Sequence, residues 1–289
     1  MICTLCPRRC GAERTETDGH GFCAMPAQLR VARAALHLWE EPPISGTRGS
    51  GTVFFSGCTL RCVYCQNGSI SAGGFGKSVT TTRLRAIFQE LIDAGAHNIN
   101  LVTPTHFLPW ILPALDPPLP VPVVYNCGGY ESVDTLRLLE GKADVYLPDL
   151  KYADGALASR LSAAPDYFPV ATAAIREMYR QTGDYVLEDG LLRRGVIIRH
   201  LVLPGQQENT RRVIDWVSEN FRPGQVLFSL MSQYTPQPGA EGLLARHVTR
   251  GEYRAAVDYM HNCGITDGFT QERTAAREEY TPPFDLTGV

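Results

Sequence analysis

The sequence predicts an α/β fold built of parallel strand–helix–strand units. Short apolar runs that suit strands alternate with segments of helical periodicity from about residue 52 to residue 263. Proline or glycine stands at most of the transitions, where turns are expected. Alternation of this kind favours a parallel sheet covered by helices. About six units can be distinguished, too few for a closed eight-unit barrel, so the pattern alone also allows an open doubly wound sheet.

The predicted elements follow one another in this order. Strands are predicted at residues 52–57, 98–104, 122–129, 144–151, 195–205 and 225–233. Helices are predicted at residues 82–95, from near 131 to 139, at 208–221 and at 251–263, with extra helices at 156–164 and about 169–181. The first helix has Leu84, Ile87 and Leu91 at helical spacing and ends at Gly95.

The composition of the chain limits which binding partners and which cellular location are expected for the protein. The chain has 289 residues, of which 44% are hydrophobic and 20% charged, and its net charge is −3. This balance gives no reason to expect nucleic acid or an anionic membrane as a partner. No stretch reaches the roughly 18 apolar residues of a membrane span. The first residues, MICTLCPRRCG, lack the apolar core of a signal peptide, so a cytoplasmic location is predicted.

Cysteine usage is the most informative part of the composition. The chain has nine cysteines, and all but Cys127 and Cys263 precede residue 66. In a reducing compartment, clustered thiols are more often metal ligands or catalytic groups than disulfides. The two lone cysteines are expected to pack as small apolar side chains. A pocket-lining thiol is the alternative for Cys127.

Three cysteines, Cys58, Cys62 and Cys65, form a C-x3-C-x2-C loop after a predicted strand. Iron–sulfur clusters are normally held by four thiolates. Three thiolates on one loop can hold three corners of a 4Fe-4S cluster and leave the fourth iron open to another ligand. A tetrahedral zinc would need a further ligand. The loop therefore predicts a 4Fe-4S cluster with one open coordination site.

At these residues the sequence GCTLRCVYCQN resembles the radical S-adenosylmethionine (SAM) superfamily, whose signature places an aromatic residue, here Tyr64, before the last cysteine. The resemblance implies a partial (β/α)6 TIM-type barrel. It also implies that SAM chelates the open iron through its amino and carboxylate groups. One electron, from an external donor such as flavodoxin or ferredoxin, would then cleave SAM to methionine and a 5′-deoxyadenosyl radical that abstracts a substrate hydrogen.

The phrases WEEPPISGTRGSGTVFFSGC, CVYCQN, YNCGGYES and LPDLKY are similar to the pyruvate formate-lyase activating enzyme-like branch of this superfamily. That branch implies activation of a glycyl radical enzyme. We expect a cysteine-rich segment and lead-in at residues 1–50, the barrel at 51–270 and a tail at 271–289. The tail is charged and then proline-rich, so we expect it to run along the surface.

Chemistry in a parallel barrel lies on the loops that follow the strands. This rule points to the segments 103–106 and 126–130, to Asp149 and Lys151, to Arg199 or His200, and to residues 233–234. Arg199 and His200 alternate in direction, so only one faces inward, and Arg199 is the preferred candidate. The residues predicted to contact SAM are Tyr64, Thr103, Thr105, Asn126, Gly128, Asp149, Lys151 and Arg199.

Asp149 and Lys151 lie on one face of a strand and resemble the Asp-x-Lys motif of activating enzymes. The resemblance implies that Lys151 neutralises the SAM carboxylate, while the aspartate holds a cation or polar groups of the ligand. We expect Lys151 and Arg199 to be catalytic. A simple surface ion pair is the alternative for Asp149 and Lys151.

One departure from the activating enzymes concerns the second strand. Many of them carry a Gly-Gly-Glu-Pro motif there that binds the SAM amino group, whereas this chain has VTPTHFLP. Thr103, Thr105 or His106 can substitute as hydrogen-bond acceptors. The departure weakens the inference that the partner is a glycyl radical enzyme.

Four further cysteines, Cys3, Cys6, Cys10 and Cys23, form C-x2-C-x3-C-x12-C. They predict a second metal site, either a structural zinc or a second iron–sulfur cluster. A cluster would relay electrons, and a zinc would fix the segment onto the barrel. For the whole protein, the alternatives to activating a protein are a radical enzyme acting on a small molecule or peptide, and a non-catalytic electron carrier.

Overall fold

The structure is a computed structural model that describes residues 2–271 and 282–289. Its strands are β1 (Leu29–His37), β2 (Ser50–Phe55), β3 (Lys77–Val79), β4 (Ile99–Val102), β5 (Val123–Cys127), β6 (Val145–Pro148), β7 (Val186–Glu188), β8 (Leu191–Leu201), β9 (Leu227–Met231) and β10 (Gly268–Thr270). Its helices are α1 (Pro42–Ser45), α2 (Gly68–Ser71), α3 (Thr81–Asp93), α4 (Leu108–Ile111), α5 (Val133–Leu136), α6 (Gly155–Ser162), α7 (Tyr167–Thr182), α8 (Gln207–Asn220) and α9 (Arg250–Asn262).

One sheet organises the fold, with the strand order β10-β9-β8-β6-β5-β4-β2-β1-β3. From β2 to β10 the neighbouring strands pair in parallel, while β1 pairs antiparallel with both β2 and β3. The described sheet therefore has seven parallel strands, one more than predicted. The additional strand, β10, has only three residues, too few to show a period in sequence. The predicted partial barrel fold is confirmed.

Helix α3 shows why the helical predictions agree with the structure. Leu84, Ile87 and Leu91 repeat on one face, and all three are buried. The Thr80 hydroxyl accepts a hydrogen bond from the Arg83 backbone N–H, which satisfies a donor that the first turn would leave unpaired. Sequence periodicity and the cap thus agree on where this helix begins.

The lower end of the barrel interior, at the start of the parallel strands, is apolar and filled. Ile44, on the short helix α1, is completely buried. It packs against inward-facing side chains of four strands, namely Val124, Val145, Leu147, Ile197 and Leu227. Because α1 occupies this end, the remaining interior space lies toward the carboxyl ends of the strands.

The predicted tail divides into two parts. Residues 272–281 lie outside the described residues, whereas residues 282–289 lie along β1. There the Leu286 N–H donates to the Ala32 carbonyl at 3.1 Å, and the Ala34 N–H donates to the Thr287 carbonyl at 2.8 Å. The ring centroid of Phe284 is 5.4 Å from that of Phe54. This part of the tail is therefore attached to the sheet. The predicted division into three regions stays a prediction.

Candidate active site

The three-cysteine loop begins where β2 ends, at Gly57. This glycine has φ +80°, and a Cβ there would lie 2.2 Å from the Met25 Cγ and 3.1 Å from the Cys23 carbonyl oxygen. A side chain at this position would therefore collide with the N-terminal segment. Glycine lets the chain turn into the loop that carries Cys58 while the N-terminal segment packs directly against it.

Each sulfur of the loop accepts a hydrogen bond. Cys58 accepts from the Leu60 N–H at 3.4 Å. Cys65 accepts from the Ser71 hydroxyl at 3.4 Å, and Cys62 accepts from the Ser162 hydroxyl at 2.9 Å. Such donors stabilise negative charge on sulfur and partly offset burial, which raises the pKa of Cys58 to about 12 and that of Cys65 above its usual value.

The three thiols of the loop are a ligand set that suits a 4Fe-4S cluster. Among residues 2–271 and 282–289, no three histidine, cysteine or acidic side chains are placed to share one metal ion. In a cubane 4Fe-4S cluster each cysteine binds a different iron, so its ligands surround the cluster and do not converge on one point. The nine cysteines, all within the described part of the chain, form no disulfide.

A second wall of the site is built from Asp149, Lys151 and Arg199. The Lys151 Nζ lies 2.5 Å from the Asp149 Oδ2, and the Arg199 Nε lies 2.9 Å from the Asp149 Oδ1. All three side chains are less than a fifth exposed. Together with the cysteine loop they line a cavity of about 200 Å³, whose other walls include Tyr64, Gln66, Asn67, Leu201, Met231, Gln233, Tyr234 and Thr235.

The charges on this wall stabilise one another. Burial alone would raise the pKa of Asp149, but the positive charges of Arg199 and Lys151 hold it below its usual value. Burial would likewise lower the pKa of Lys151, and the Asp149 carboxylate raises it instead. Lys151 is therefore protonated and available to a ligand carboxylate across the neutral range. The surface ion pair considered from the sequence does not fit side chains this buried.

Asn126 and Gly128 adjoin this wall, although neither lines the cavity. The Asn126 Oδ1 accepts a hydrogen bond from Arg199 at 2.7 Å. A Cβ on Gly128 would lie 2.8 Å from the Leu60 Cδ1 and 3.7 Å from the Lys151 Cε. Gly128 therefore allows the cysteine loop and the lysine to approach each other closely.

The segment after β4 lies away from the cavity. Thr105 is buried, and its hydroxyl donates to the Glu131 carboxylate at 2.9 Å. His106 is also buried, and its Nε2 contacts the Ser56 carbonyl oxygen at 2.7 Å. Thr103 has φ +57° and donates its N–H to the Asn126 carbonyl oxygen. These residues do not line the cavity, so their predicted contact with SAM stays a prediction without support from the geometry.

Other candidates are engaged in packing. His200 is fully buried between the Leu150 carbonyl oxygen and the Thr210 hydroxyl, whereas Arg199 lines the cavity. Cys127 is buried in the main core, and burial raises the pKa of its thiol well above the usual value. Cys263 is partly buried against the same core.

Two glutamates that sequence reasoning left without a role reach the same network. The Arg199 guanidinium lies 3.3 Å from the Glu40 carboxylate and 3.9 Å from that of Glu41. Glu40 also accepts a hydrogen bond from Asn126 at 3.3 Å. Burial raises the pKa of Glu40 above its usual value and that of Glu41 to about 7. The signal was the pair of adjacent carboxylates in the phrase WEEPPISG, just before α1.

The four N-terminal cysteines lie near one another. Cys3 and Cys6 are buried, Cys23 is half-buried and Cys10 is exposed. Burial, with smaller contributions from Glu131 and the nearby thiols of Cys23 and Cys3, raises the pKa of Cys6 to about 12, and Cys3 and Cys10 likewise act on Cys23. A Cβ on Gly21 would lie 2.9 Å from the Cys10 sulfur. Proximity is thus established, but a metal bound by these cysteines stays a prediction.

Comparison with known proteins adds three findings. The family model of a 4Fe-4S single cluster domain matches residues 45–103, which contain the three-cysteine loop. The uncharacterized protein MJ0674 of Methanocaldococcus jannaschii is 32% identical over 268 residues, which cover 89% of this chain and 73% of that protein.

The fold is also similar to that of Streptococcus suis SuiB. With SuiB bound to S-adenosylmethionine, the TM-score is 0.53 and the identity 15%, over 75% of this chain and 48% of SuiB. With SuiB bound to its precursor peptide SuiA, the TM-score is again 0.53 and the identity 15%, over 75% and 47%. The chain spans about half the length of SuiB, and the likeness is one of fold.

The cysteine loop lies within the matched 4Fe-4S single cluster domain, and the fold is similar to that of SuiB. The two predicted cofactors, the cluster and SAM, agree with these comparisons. The chain belongs to the same family as MJ0674. None of the helices in the described residues combines the length and apolarity needed to cross a bilayer.

Proposed function

We propose that the protein is a radical SAM enzyme that abstracts hydrogen from a protein or peptide substrate. The observation that carries the proposal is the cavity in which Cys62 and Cys65 face Asp149, Lys151 and Arg199. The same cavity is thus lined by two of the proposed cluster ligands and by a buried cation that suits a ligand carboxylate. An electron carrier without catalysis would have no use for the second wall.

The chain's own residues have distinct roles in this proposal. Cys58, Cys62 and Cys65 would hold the cluster, which would supply the electron for the cleavage of SAM. Lys151 neutralises the SAM carboxylate, since it is buried and protonated. Arg199 binds a carboxylate or ribose oxygens. Gly128 allows the ligand to approach the backbone, and the Asn126 amide donates and accepts hydrogen bonds to it.

The substrate is the finer part of the proposal. Activation of a glycyl radical enzyme follows from the resemblance of the quoted phrases to the activating-enzyme branch. A peptide substrate is the second candidate, and it is favoured by the precursor peptide bound to SuiB, whose fold is similar. The segment VTPTHFLP, which replaces the Gly-Gly-Glu-Pro motif, favours the peptide over the glycyl radical enzyme.

The reaction requires partners and conditions. An external one-electron donor such as flavodoxin or ferredoxin has to reduce the cluster. A reducing location such as the cytoplasm suits nine cysteines that form no disulfide in the described chain.

The test is SAM cleavage by anaerobically reconstituted protein with dithionite as the reductant. We expect slow release of 5′-deoxyadenosine and methionine even without the true substrate, measured by chromatography. Protein without a cluster is the control. A protein that carries four irons per chain but neither binds nor cleaves SAM would be an electron carrier instead.

A further inference from the structure

The three sulfurs of the cysteine loop do not have equivalent hydrogen bonds. The contact between Ser162 and Cys62, at 2.9 Å, is 0.5 Å shorter than the 3.4 Å contacts to Cys58 and Cys65. Ser162 is the last residue of α6 and is only 2% exposed. Its hydroxyl is therefore fixed by packing and shielded from water, which strengthens its effect on the sulfur.

A pair of buried tyrosines orients this hydroxyl. The Tyr152 hydroxyl lies 2.7 Å from the Ser162 oxygen and 2.8 Å from the Tyr64 hydroxyl. A thiolate bound to iron carries no proton, so Ser162 must be the donor to Cys62. Its oxygen lone pairs can then accept the single Tyr152 hydroxyl proton, which is otherwise donated to Tyr64. The three hydroxyls are thus contiguous from Tyr64 to the Cys62 sulfur.

The N-terminal segment holds the end of α6 in place. The Arg8 guanidinium donates to the carbonyl oxygens of Ser162, Ala163 and Thr59, with 2.7 Å to Ser162 and 2.9 Å to Thr59. Its Cζ lies 3.8 Å from the centre of the Phe22 ring. Ala163 has φ +50°, a left-handed conformation that is unfavourable for a non-glycine residue and needs outside support.

Arg8 itself lies between two of the N-terminal cysteines, Cys6 and Cys10. The same arginine therefore contacts the cysteine loop through Thr59 and the Ser162 donor through its carbonyl. Any change that loosens the N-terminal segment would also loosen the donor to Cys62.

We propose that Ser162 raises the reduction potential of the cluster and that Arg8 holds Ser162 in position. The inference rests on the proposed function, because it requires a cluster on the three-cysteine loop. Reduction adds negative charge to the cluster, and a donor to a ligand sulfur stabilises the reduced state more than the oxidised one. Ser162 and Arg8 are positioning and tuning residues, since neither is a ligand.

The experiment is a redox titration of reconstituted protein, followed by electron paramagnetic resonance. In Ser162→Ala the equilibrium constant for reduction should fall about tenfold, which is about 59 mV for one electron. Ser71→Ala should shift the potential less, because its contact is longer. Exposed Ser69, in the same helix as Ser71, is the matched control, and Ser69→Ala should leave the potential unchanged. Ser162→Thr, which keeps a hydroxyl, should restore it.

Two further variants test the positioning. Tyr152→Phe removes the hydrogen-bond partner of the Ser162 oxygen, and Arg8→Ala removes the hydrogen bonds that hold the end of α6. Both should lower the potential with the iron content unchanged, whereas Arg9→Ala, next in the chain, should not. If Ser162→Ala does not bind a cluster, the reduction potential of Tyr152→Phe tests the role of Ser162 in its place.

A wild-type potential in loaded Ser162→Ala, or in Tyr152→Phe when the first does not load, would overturn the role of Ser162. A wild-type potential in Arg8→Ala would overturn the role of Arg8. If wild-type protein binds no iron at all, it is the proposed function that fails.

Discussion

The guanidinium of Arg199 and the carboxylate of Asp149 meet inside the barrel, with 2.9 Å between Nε and Oδ1. Neither side chain is more than 14% exposed. Arg199 reaches Asp149 from a neighbouring strand position and also contacts Glu40 and Asn126. One cation thereby holds two buried carboxylates and an amide in a fixed relation to Lys151.

Removing this cation should destabilise the fold. In Arg199→Met the Glu40 carboxylate remains buried without its cation and Asp149 keeps only Lys151, which costs about 3–5 kcal/mol. Urea unfolding measures the change. Arg212, whose pair with Asp154 is nearly half exposed at 3.8 Å, is the control, and Arg212→Met should cost less than about 1 kcal/mol. Equal losses of unfolding free energy in the two variants would show that the buried network stabilises the fold no more than an exposed ion pair does.

Lys151→Ala should weaken SAM binding. The lysine is buried, protonated and placed on the wall that faces the cysteine loop. Losing a hydrogen bond to a charged group costs about 1.5–3 kcal/mol of binding free energy. Anaerobic calorimetry measures the affinity. Lys142, which lies outside the cavity, is the control. Unchanged affinity in Lys151→Ala would remove this residue from the binding site.

Replacing Cys58, Cys62 and Cys65 together by alanine should abolish the cluster. The wild type should hold at least about four irons per chain after reconstitution, the content of one 4Fe-4S cluster. Iron analysis and visible absorption measure the loss. Cys263→Ala is the control, because that thiol lies against the core near α8. Full iron content and SAM cleavage in the triple variant would contradict the assignment.

Replacing Cys3 or Cys23 by alanine should identify the N-terminal metal. Loss of about one zinc per chain, with the iron unchanged, would indicate a structural site. Loss of several irons and slower reduction of the remaining cluster would indicate an electron relay. Metal analysis and proteolysis of residues 1–25 give the readouts. If neither changes, the four cysteines are not a metal site.

The acidic pair before α1 should make stability depend on pH. Burial raises the pKa of Glu41 from 4.5 to about 7. The folded state therefore binds a proton more tightly than the unfolded state, so the stability that this group contributes is lost as pH rises from about 4.5 through 7. At 1.36 kcal/mol per unit the loss is at most about 3 kcal/mol.

Glu41→Gln should flatten this dependence, as measured by urea unfolding at pH 5 and pH 8. Glu208→Gln, at an exposed position of α8, should keep the wild-type slope. The same slope in Glu41→Gln and the wild type would contradict the effect of burial.

The sequence predicted the parallel strands and long helices because apolar periodicity is a local signal. Helix α3 was predicted at residues 82–95 and spans Thr81–Asp93. The cysteine loop was equally local, since Cys58, Cys62 and Cys65 share one stretch of chain. Strand β10 was missed because three residues carry no period.

The site residues that the sequence did not predict come from distant segments of the chain. Glu40 contacts Arg199 across 159 positions, and Ser162 contacts Cys62 across 100. No spacing rule connects residues so far apart, because their proximity depends on how the sheet curves. Thr105 illustrates the converse, since a residue after a strand end turned toward Glu131 and away from the cavity.

Because helix α1 fills the lower end of the barrel, the interior is closed at that end and can be entered only from the carboxyl ends of the strands. A polypeptide cannot be threaded through from one end to the other past Ile44. A protein or peptide would have to offer a terminus or a bent loop at the cluster end and withdraw by the same route. Substrate and spent cofactor would then compete for one exit, so the order of their departure becomes part of the catalytic cycle.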